Sequence, residues 1–325
     1  MQITDQFYKE FHSLNYVLKK AKNILIIAHS FPDSDATGSA VAFSNFIKNH
    51  YQKESTLACF DEFPEFLKPI LGDIKFNHPE EINLKKFDIV IGCDSVERGM
   101  DRIINKLSDN CITVAIDHHP DINLEVDIKI IDPIYAATCE ILYNFFHSLR
   151  GKIDKKIATA LLTGIVGDTG AFQHSNTSAN VLAISSDLVN AGASIAKIID
   201  HSFANKKIDT LKFWGKAIEK TKFFTESGLA VTAITQEDID TQGSTPESTS
   251  DIANILTTIP GIKVAVIISQ IKPNIIKGSL RTEKHANVNV SKIAQTLGGG
   301  GHKLASGFEM SGKIIISKNG DWQIV

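Results

Sequence analysis

What most constrains the fold of this 325-residue chain is a set of short, wholly apolar runs that stop abruptly at acids and imidazoles. "NILIIAHS" (23–30), "FDIVIGCDS" (87–95) and "CITVAIDHH" (111–119) are short and rich in β-branched residues. A strand that is apolar at every position is buried on both faces, the condition of a parallel sheet covered by other elements. Helical patterns lie between the runs. "SDATGSAVAFSNFIKNHY" (34–51) follows the first; a short strand at 128–132 precedes a helix through "ATCEILYNFFHSLRG" (137–151); "KKIATALLTGIVGDTG" (155–170) is a helix closing in a glycine-punctuated turn. The polar, amphipathic residues 1–23 read as a first helix with no signal-peptide core. Strand–helix alternation predicts an α/β domain built on a doubly wound, mainly parallel sheet.

The second half changes character. Residues 178–220 read as helical throughout, broken at Gly192. Residues 228–239 and 261–271 read as strands, separated by a Ser/Thr-rich loop over 240–251 that opens a helix near Asp251. A helix at 289–297 then runs into four glycines and His302. This pattern predicts a smaller C-terminal α+β domain. The boundaries drawn from it are 1–190 for the first domain, 191–218 for a helical linker and 219–325 for the second domain, with a cleft between the two.

Composition narrows the function classes. A net charge of −3 argues against a protein that coats duplex DNA through general charge. No apolar run reaches the length of a membrane span. The four cysteines (Cys59, Cys93, Cys111, Cys139) form no CxxC pair and no disulfide spacing, which fits a reducing cytoplasm. Lysine dominates the basic residues, and arginine occurs only at Arg98, Arg102, Arg150 and Arg281.

In an open parallel sheet the carboxyl ends of all strands lie on one edge, and ligands bind there. His29, Asp33 and Asp35 follow the first run, Asp94 the second, and Asp117, His118 and His119 the third. Asp168 follows a helix, and its glycine-rich turn could bring it to the same edge. One Asp at a strand end is ordinarily a cap or turn former. The repetition at successive strand ends is what points to a site. Acids so close would shift one another's pKa strongly unless cations intervened. Carboxylate and imidazole ligands without thiolate suit Mn2+, with Mg2+, Co2+ or Zn2+ as alternatives. His29, Asp33, Asp35, Asp94, His118 and Asp168 suffice for two ions if one carboxylate bridges.

"HSFPDSDATGS" (29–39), "CDS" (93–95), "DHHP" (117–120) and "GDTGAF" (167–172) resemble, in order, the motifs of the DHH phosphoesterase superfamily. "GSLRT" (278–282) and "GGGGHKLASGF" (298–308) resemble its DHHA1 substrate domain. The resemblance implies one metal held by His29, Asp33 and Asp94, and another held by Asp35, Asp94, His118 and Asp168. It implies that Asp117 orients a neighbouring imidazole and that His119 faces the substrate phosphate. It makes 1–190 the catalytic metal-binding domain and 219–325 the substrate-binding domain. There, Arg281 suits bidentate phosphate binding, and Gly299, Gly300, Gly301 and His302 would admit an anion close to the backbone.

The function so implied is a manganese-dependent phosphoesterase that hydrolyses short oligoribonucleotides, the 3′-phosphate of pAp, or both, through a two-metal-activated hydroxide. A phosphodiesterase for cyclic di-AMP or pApA has the same architecture and stays open. A catalytically inactive nucleotide sensor is a more distant reading, disfavoured by the complete ligand set. The expected partners are short RNA or small nucleotides, with no duplex DNA and no membrane; a homodimer is compatible with the sequence. The position of His174 after a motif brings it towards the site, Thr138 and Glu140 read as a helix start, and His12, His50, His78, His147, His201 and His285 read as structural or solvated.

Overall fold

Five parallel strands form the first sheet: β1 (Ile24–Ile27), β2 (Thr56–Ala58), β3 (Ile89–Cys93), β4 (Ile112–Asp117) and β5 (Ile128–Ile131), in the order β2-β1-β3-β4-β5. The computed structural model describes residues 5–96, 98–119, 124–204, 208–242, 246–283, 286–301, 303–317 and 321–325. His302 and His285 lie outside the described residues. The uniformly apolar runs are explained by two cores on opposite faces. Ile24 and Ile26, Ile89 and Ile91, Val114 and Ile116 enter one core, while Leu25, Ile27 and Val90 enter the other. Each such buried side chain contributes about 1.5–3 kcal/mol.

Helices α1 (Tyr8–Lys20), α2 (Ser34–Tyr51), α3 (Lys68–Leu71), α4 (Thr138–Ser148), α5 (Lys155–Asp168), α6 (Ala179–Asn190) and α7 (Ile195–Ile199) complete the first unit. The helical face is packed with aromatics, among them Phe43, Phe46, Phe145 and Phe146. The opposite face is covered by the segments between β2 and β4, which carry short 3-10 turns and contribute Leu84, Phe87, Met100 and Ile103. All four cysteines are buried and unpaired.

The chain divides into two units, Met1–Asn205 and Lys206–Val325. Residues 191–218 hold α7, which packs on α5; a π-helical turn, Asp200–Ala204; and most of α8 (Ile208–Glu219), whose Phe213 and Ala217 enter the core of the second unit. Among the described residues this helical stretch breaks at 191–194, around Gly192 at φ +104°.

The second unit is a six-stranded mixed sheet of order β10-β11-β9-β8-β7-β6. Its strands are β6 (Lys222–Phe224), β7 (Leu229–Ile234), β8 (Val264–Lys272), β9 (Ile275–Thr282), β10 (Gly300–Gly301) and β11 (Ala305–Ser311). The β7–β8 pair is parallel and the others antiparallel. Helices α9 (Gln236–Gln242), α10 (Pro246–Thr257) and α11 (Val290–Thr296) and a hairpin of β12 (Ile314–Ile316) and β13 (Trp322–Ile324) complete it. The loop expected over 240–251 is a correction: α9 extends to Gln242 and α10 begins at Pro246. Proline is pre-organised for a first helical position, so it starts this helix where a Ser/Thr-rich composition suggests a loop. Among the described residues no single helix is long and apolar enough to cross a membrane.

Candidate metal centre

The order β2-β1-β3 places a topological switch at the carboxyl ends of β1 and β3, where such sheets bind ligands. His29 follows β1 and Asp94 follows β3. The buried His29 ring lies with Nδ1 2.8 Å from the Ser30 carbonyl oxygen. A carbonyl can only accept, so Nδ1 carries a proton and Nε2 is the ring nitrogen turned towards the acids. That Nε2 is 3.6 Å from both Asp33 Oδ2 and Asp94 Oδ2. Asp33 serves twice. Its Oδ1 caps α2, accepting from the Asp35 and Ala36 amides at 3.0 Å each, and this fixes Oδ2 towards His29.

A second group forms around His118. Its Nδ1 lies 3.3 Å from the Tyr135 carbonyl oxygen, so its Nε2 is also turned inward. That Nε2 is 3.0 Å from Asp168 Oδ2, 3.7 Å from Asp94 Oδ1 and 3.9 Å from Asp35 Oδ2. Asp168 is the last residue of α5, and the helix rather than a strand delivers it to the edge. Asp94 faces both groups, one carboxylate oxygen to each. It sits at φ +54°, a left-handed conformation that Asp tolerates better than most residues, with its amide bonded to the Ile116 carbonyl at 2.9 Å.

Sequence reasoning missed the support under Asp35. Its carboxylate accepts the amides of Thr138 (2.6 Å) and Cys139 (3.0 Å) at the start of α4. Ala137 at the N-cap has no acceptor side chain, so Asp35 satisfies amides that the helix leaves open. The Thr138 hydroxyl also donates to Asp94 Oδ1 at 3.2 Å. The signal in the sequence is a helix entry, "AATCE", without a capping residue. Glu140 instead binds the Ala136 amide and the Asn180 side chain.

Buried Asp117 holds His119 twice: Oδ1 accepts from His119 Nδ1 at 2.8 Å and from the His119 amide at 2.9 Å. Its Oδ2 accepts the Val96 amide. His119 Nδ1 is also 3.3 Å from Asp94 Oδ1. His174 reaches the rim, with Nδ1 3.2 Å from the Asp168 carbonyl oxygen.

Five carboxylates therefore meet three imidazoles. Two like charges about 4 Å apart repel by roughly 4 kcal/mol in a partly buried setting, so the acids cannot all ionise without cations. Among the described residues no lysine or arginine forms a salt bridge to any of the five. The titration shifts record the same imbalance. Burial raises Asp35 well above the carboxylate range, with the Asp168 charge adding to it, and burial pushes Asp168 up to about 6. Burial opposes a proton on His29, yet the Asp33 and Asp94 carboxylates lift it to about 10. Burial likewise opposes charge on His118 and His119, but their facing carboxylates lift them to about 10 and about 11. Asp94 is held well below its usual range by His119 and His29 in spite of burial.

The donors fit divalent cations. His29 Nε2 and His118 Nε2 are both buried without a hydrogen-bond partner, although each is surrounded by carboxylate oxygens. Compatible groupings of ligand atoms are His29–Asp33–Asp94, Asp35–His118–Asp168 and Asp94–His118–His119. Backbone carbonyls behind His29 and His118 hold their tautomers, the usual support for metal-binding imidazoles.

In the second unit, Arg281 lies on β9 between Ala265 of β8 and Ala305 of β11. Burial lowers its pKa, and among the described residues its side chain forms no ion pair. The glycine run is ordered. Gly298 (φ +76°) ends α11, the Gly299 amide bonds the Ala294 carbonyl at 2.8 Å, and Gly300 and Gly301 pair with Gly307 and Ser306. A Cβ on Gly299 would lie 2.1 Å from the Gly307 carbonyl oxygen, whereas the corresponding space at Gly300 is open. Close strand approach thus requires glycine at Gly299, while the space beside Gly300 is open.

Comparison with known proteins matches residues 23–165 to the DHH family, N-terminal domain, and residues 227–317 to the DHHA1 domain. A bifunctional oligoribonuclease and PAP phosphatase of Thermus thermophilus is 27% identical over 308 residues, covering 94% of this chain and 90% of the relative. The Bacillus subtilis protein of the same description is 25% identical over 294 residues, covering 87% and 88%. In fold, the chain is similar to the crystal structure of an exopolyphosphatase-related protein from Bacteroides fragilis, with a TM-score of 0.86 at 22% identity, covering 93% of this chain and 91% of the other.

Proposed function

Because the chain belongs to the DHH family and carries a DHHA1 domain, we propose that it is a metal-dependent phosphoesterase acting on short oligoribonucleotides and on the 3′-phosphate of pAp. The observation that carries the reading is Asp94, whose two oxygens face two inward-turned, unpartnered imidazole nitrogens. The relatives named above, similar over most of their length, support the substrate class.

His29, Asp33 and Asp94 would hold one ion and Asp35, Asp94, His118 and Asp168 the other. Mn2+ suits the carboxylate and imidazole donors best. Two such ions lower the pKa of water and stabilise phosphoryl oxygens during in-line displacement. The chain's own residues do the rest. The α4 amides hold Asp35, so the carboxylate does not turn away when substrate enters. Asp117 keeps a proton on His119 Nδ1 and orients the ring, so His119 can hydrogen-bond a phosphoryl oxygen. Arg281, Gly299, Gly300, Gly301 and His302, all of the second domain, would anchor a terminal phosphate. The setting proposed is the cytoplasm.

The reading is tested by kcat/KM with Mn2+ on pAp, short oligoribonucleotides, pApA and cyclic di-AMP. Turnover is expected to favour the first two; preference for cyclic di-AMP would reassign the substrate, and no turnover on any would overturn the enzyme reading. Asp117→Asn should lower kcat by about 10–100-fold, the usual cost of losing the group that orients a site imidazole, with a smaller change in KM. An unchanged kcat would remove Asp117 from the mechanism.

Metal binding should be strongly pH-dependent. The protein without ions keeps protons on His29 and His118 up to about pH 10, and each bound ion must displace one. Apparent Mn2+ affinity should therefore rise about tenfold per pH unit for each proton released between pH 7 and 9. Below about pH 6, Asp168 takes a further proton, so affinity falls more steeply. Calorimetry in buffers of different ionisation enthalpy reads the released protons directly. Affinity independent of pH would contradict the imidazole assignment, and a chelator should abolish turnover reversibly.

A further inference from the structure

Phe31 lies between His29 and Asp33 in the chain, yet its phenyl ring is 77% exposed. Its backbone has φ +55°, a left-handed conformation that a bulky residue adopts only when its surroundings enforce it. They do so here from both sides. The Phe31 amide donates to Asp61 Oδ2 at 2.9 Å. The Ser30 amide and hydroxyl both donate to the Arg98 carbonyl, at 2.8 and 2.9 Å. The same hydroxyl accepts from Arg102 Nη1 at 2.7 Å, and the Arg102 guanidinium sits 3.5 Å over the Phe60 ring. A braced loop thus holds an apolar ring in water, where it adds nothing to the core.

Arg98 is the second observation. It is exposed, it too has a left-handed backbone (φ +61°), and among the described residues its side chain forms no hydrogen bond or ion pair. Its carbonyl is the group that holds Ser30, so the loops after β1 and β3 are tied together at the switch point of the sheet. An exposed aromatic face with an unpaired guanidinium on the adjoining loop matches the general requirement for single-stranded nucleotides: a stacking surface for the base and a cation for the backbone.

We infer that Phe31 is the platform on which a nucleobase of the substrate stacks, with the Arg98 guanidinium serving a phosphate of the same nucleotide. The inference rests on the phosphoesterase reading for its substrate, and it makes the protein selective for base-bearing nucleotides over bare sugar phosphates.

The test measures binding of AMP and of ribose 5-phosphate to the full chain with Mn2+ by calorimetry, for wild type, Phe31→Gly, Phe31→Trp and Arg98→Ala. Wild type should bind AMP about tenfold more tightly than ribose 5-phosphate. Phe31→Gly should lose this preference and Phe31→Trp should keep it. The melting temperature of Phe31→Gly should be unchanged or higher, because glycine meets φ +55° without strain, whereas a purely structural phenyl ring would leave it lower. Arg98→Ala should weaken both ligands alike. An AMP preference that is absent in wild type, or survives in Phe31→Gly, overturns the stacking role, and unchanged affinities in Arg98→Ala remove Arg98 from the subsite. Turnover separates the two readings: a wild type that hydrolyses no nucleotide overturns the phosphoesterase, while hydrolysis without an AMP preference overturns the stacking platform alone.

Discussion

Asp94→Asn is expected to lower kcat by roughly 10³-fold or more, the rate equivalent of about 4 kcal/mol of lost transition-state stabilisation, while the protein stays folded. The size of the effect follows from position. One Asp94 oxygen lies 3.6 Å from His29 Nε2, and the other lies 3.7 Å from His118 Nε2 and 3.3 Å from His119 Nδ1. Loss of this charge weakens both proposed ion sites at once, whereas loss of Asp33 or Asp168 weakens one. The choice of asparagine follows from the backbone. At φ +54° an alanine would add strain, but Asn tolerates the left-handed region as Asp does, and the amide bond to Ile116 is kept. The expected signature is a native circular-dichroism spectrum, no turnover, and loss of most of the thermal stabilisation that Mn2+ gives the wild type. Near wild-type rates would show that the bridging assignment is wrong.

Much of this site can be read in the sequence because its residues act through side chains at strand ends. The runs around Ile24–Ile27, Ile89–Cys93 and Ile112–Asp117 are legible as strands since burial on both faces removes any alternation. The limits of α2 are legible since Asp33 caps it. What acts through the backbone is not legible. The Thr138 and Cys139 amides that hold Asp35 carry no side-chain signature, and the carbonyls of Ser30 and Tyr135 that fix the imidazole tautomers could belong to any residue. The strand order is equally hidden, because β2 is three residues of mixed character at an edge. Yet that order creates the switch point where His29 meets Asp94. The glycine run answers to two demands that its composition does not separate. Its composition suggests an anion nest throughout, while pairing with β11 already requires the close approach at Gly299 and Gly301.

Gly164→Ala is expected to destabilise the first unit by about 3 kcal/mol, even though alanine favours a helix interior over glycine by about 1 kcal/mol. Gly164 is in the middle of α5, where a Cβ would lie 2.3 Å from Cys139 Sγ and 2.5 Å from Asp35 Oδ1. The helices have no slack to absorb it, since a Cβ on Gly38 of α2 would likewise lie 2.5 Å from the Ala160 carbonyl of α5. Overpacking costs about 1–3 kcal/mol, and displacing Asp35 from its two amide donors costs about 1.5–3 kcal/mol more, so together they outweigh the propensity gain. For a unit of this size the loss corresponds to a fall of about 6–12 °C in melting temperature. Activity should fall even well below that temperature, because the displaced carboxylate is a proposed metal ligand. Gly215→Ala is the control. It is also a helical glycine, in α8, but nothing lies within 4 Å of the added Cβ. That variant should gain about 0.5–1 kcal/mol. Opposite signs for one chemical change, read by calorimetry, would locate the constraint in the α2–α5 contact that positions Asp35; a stabilised Gly164→Ala would refute it.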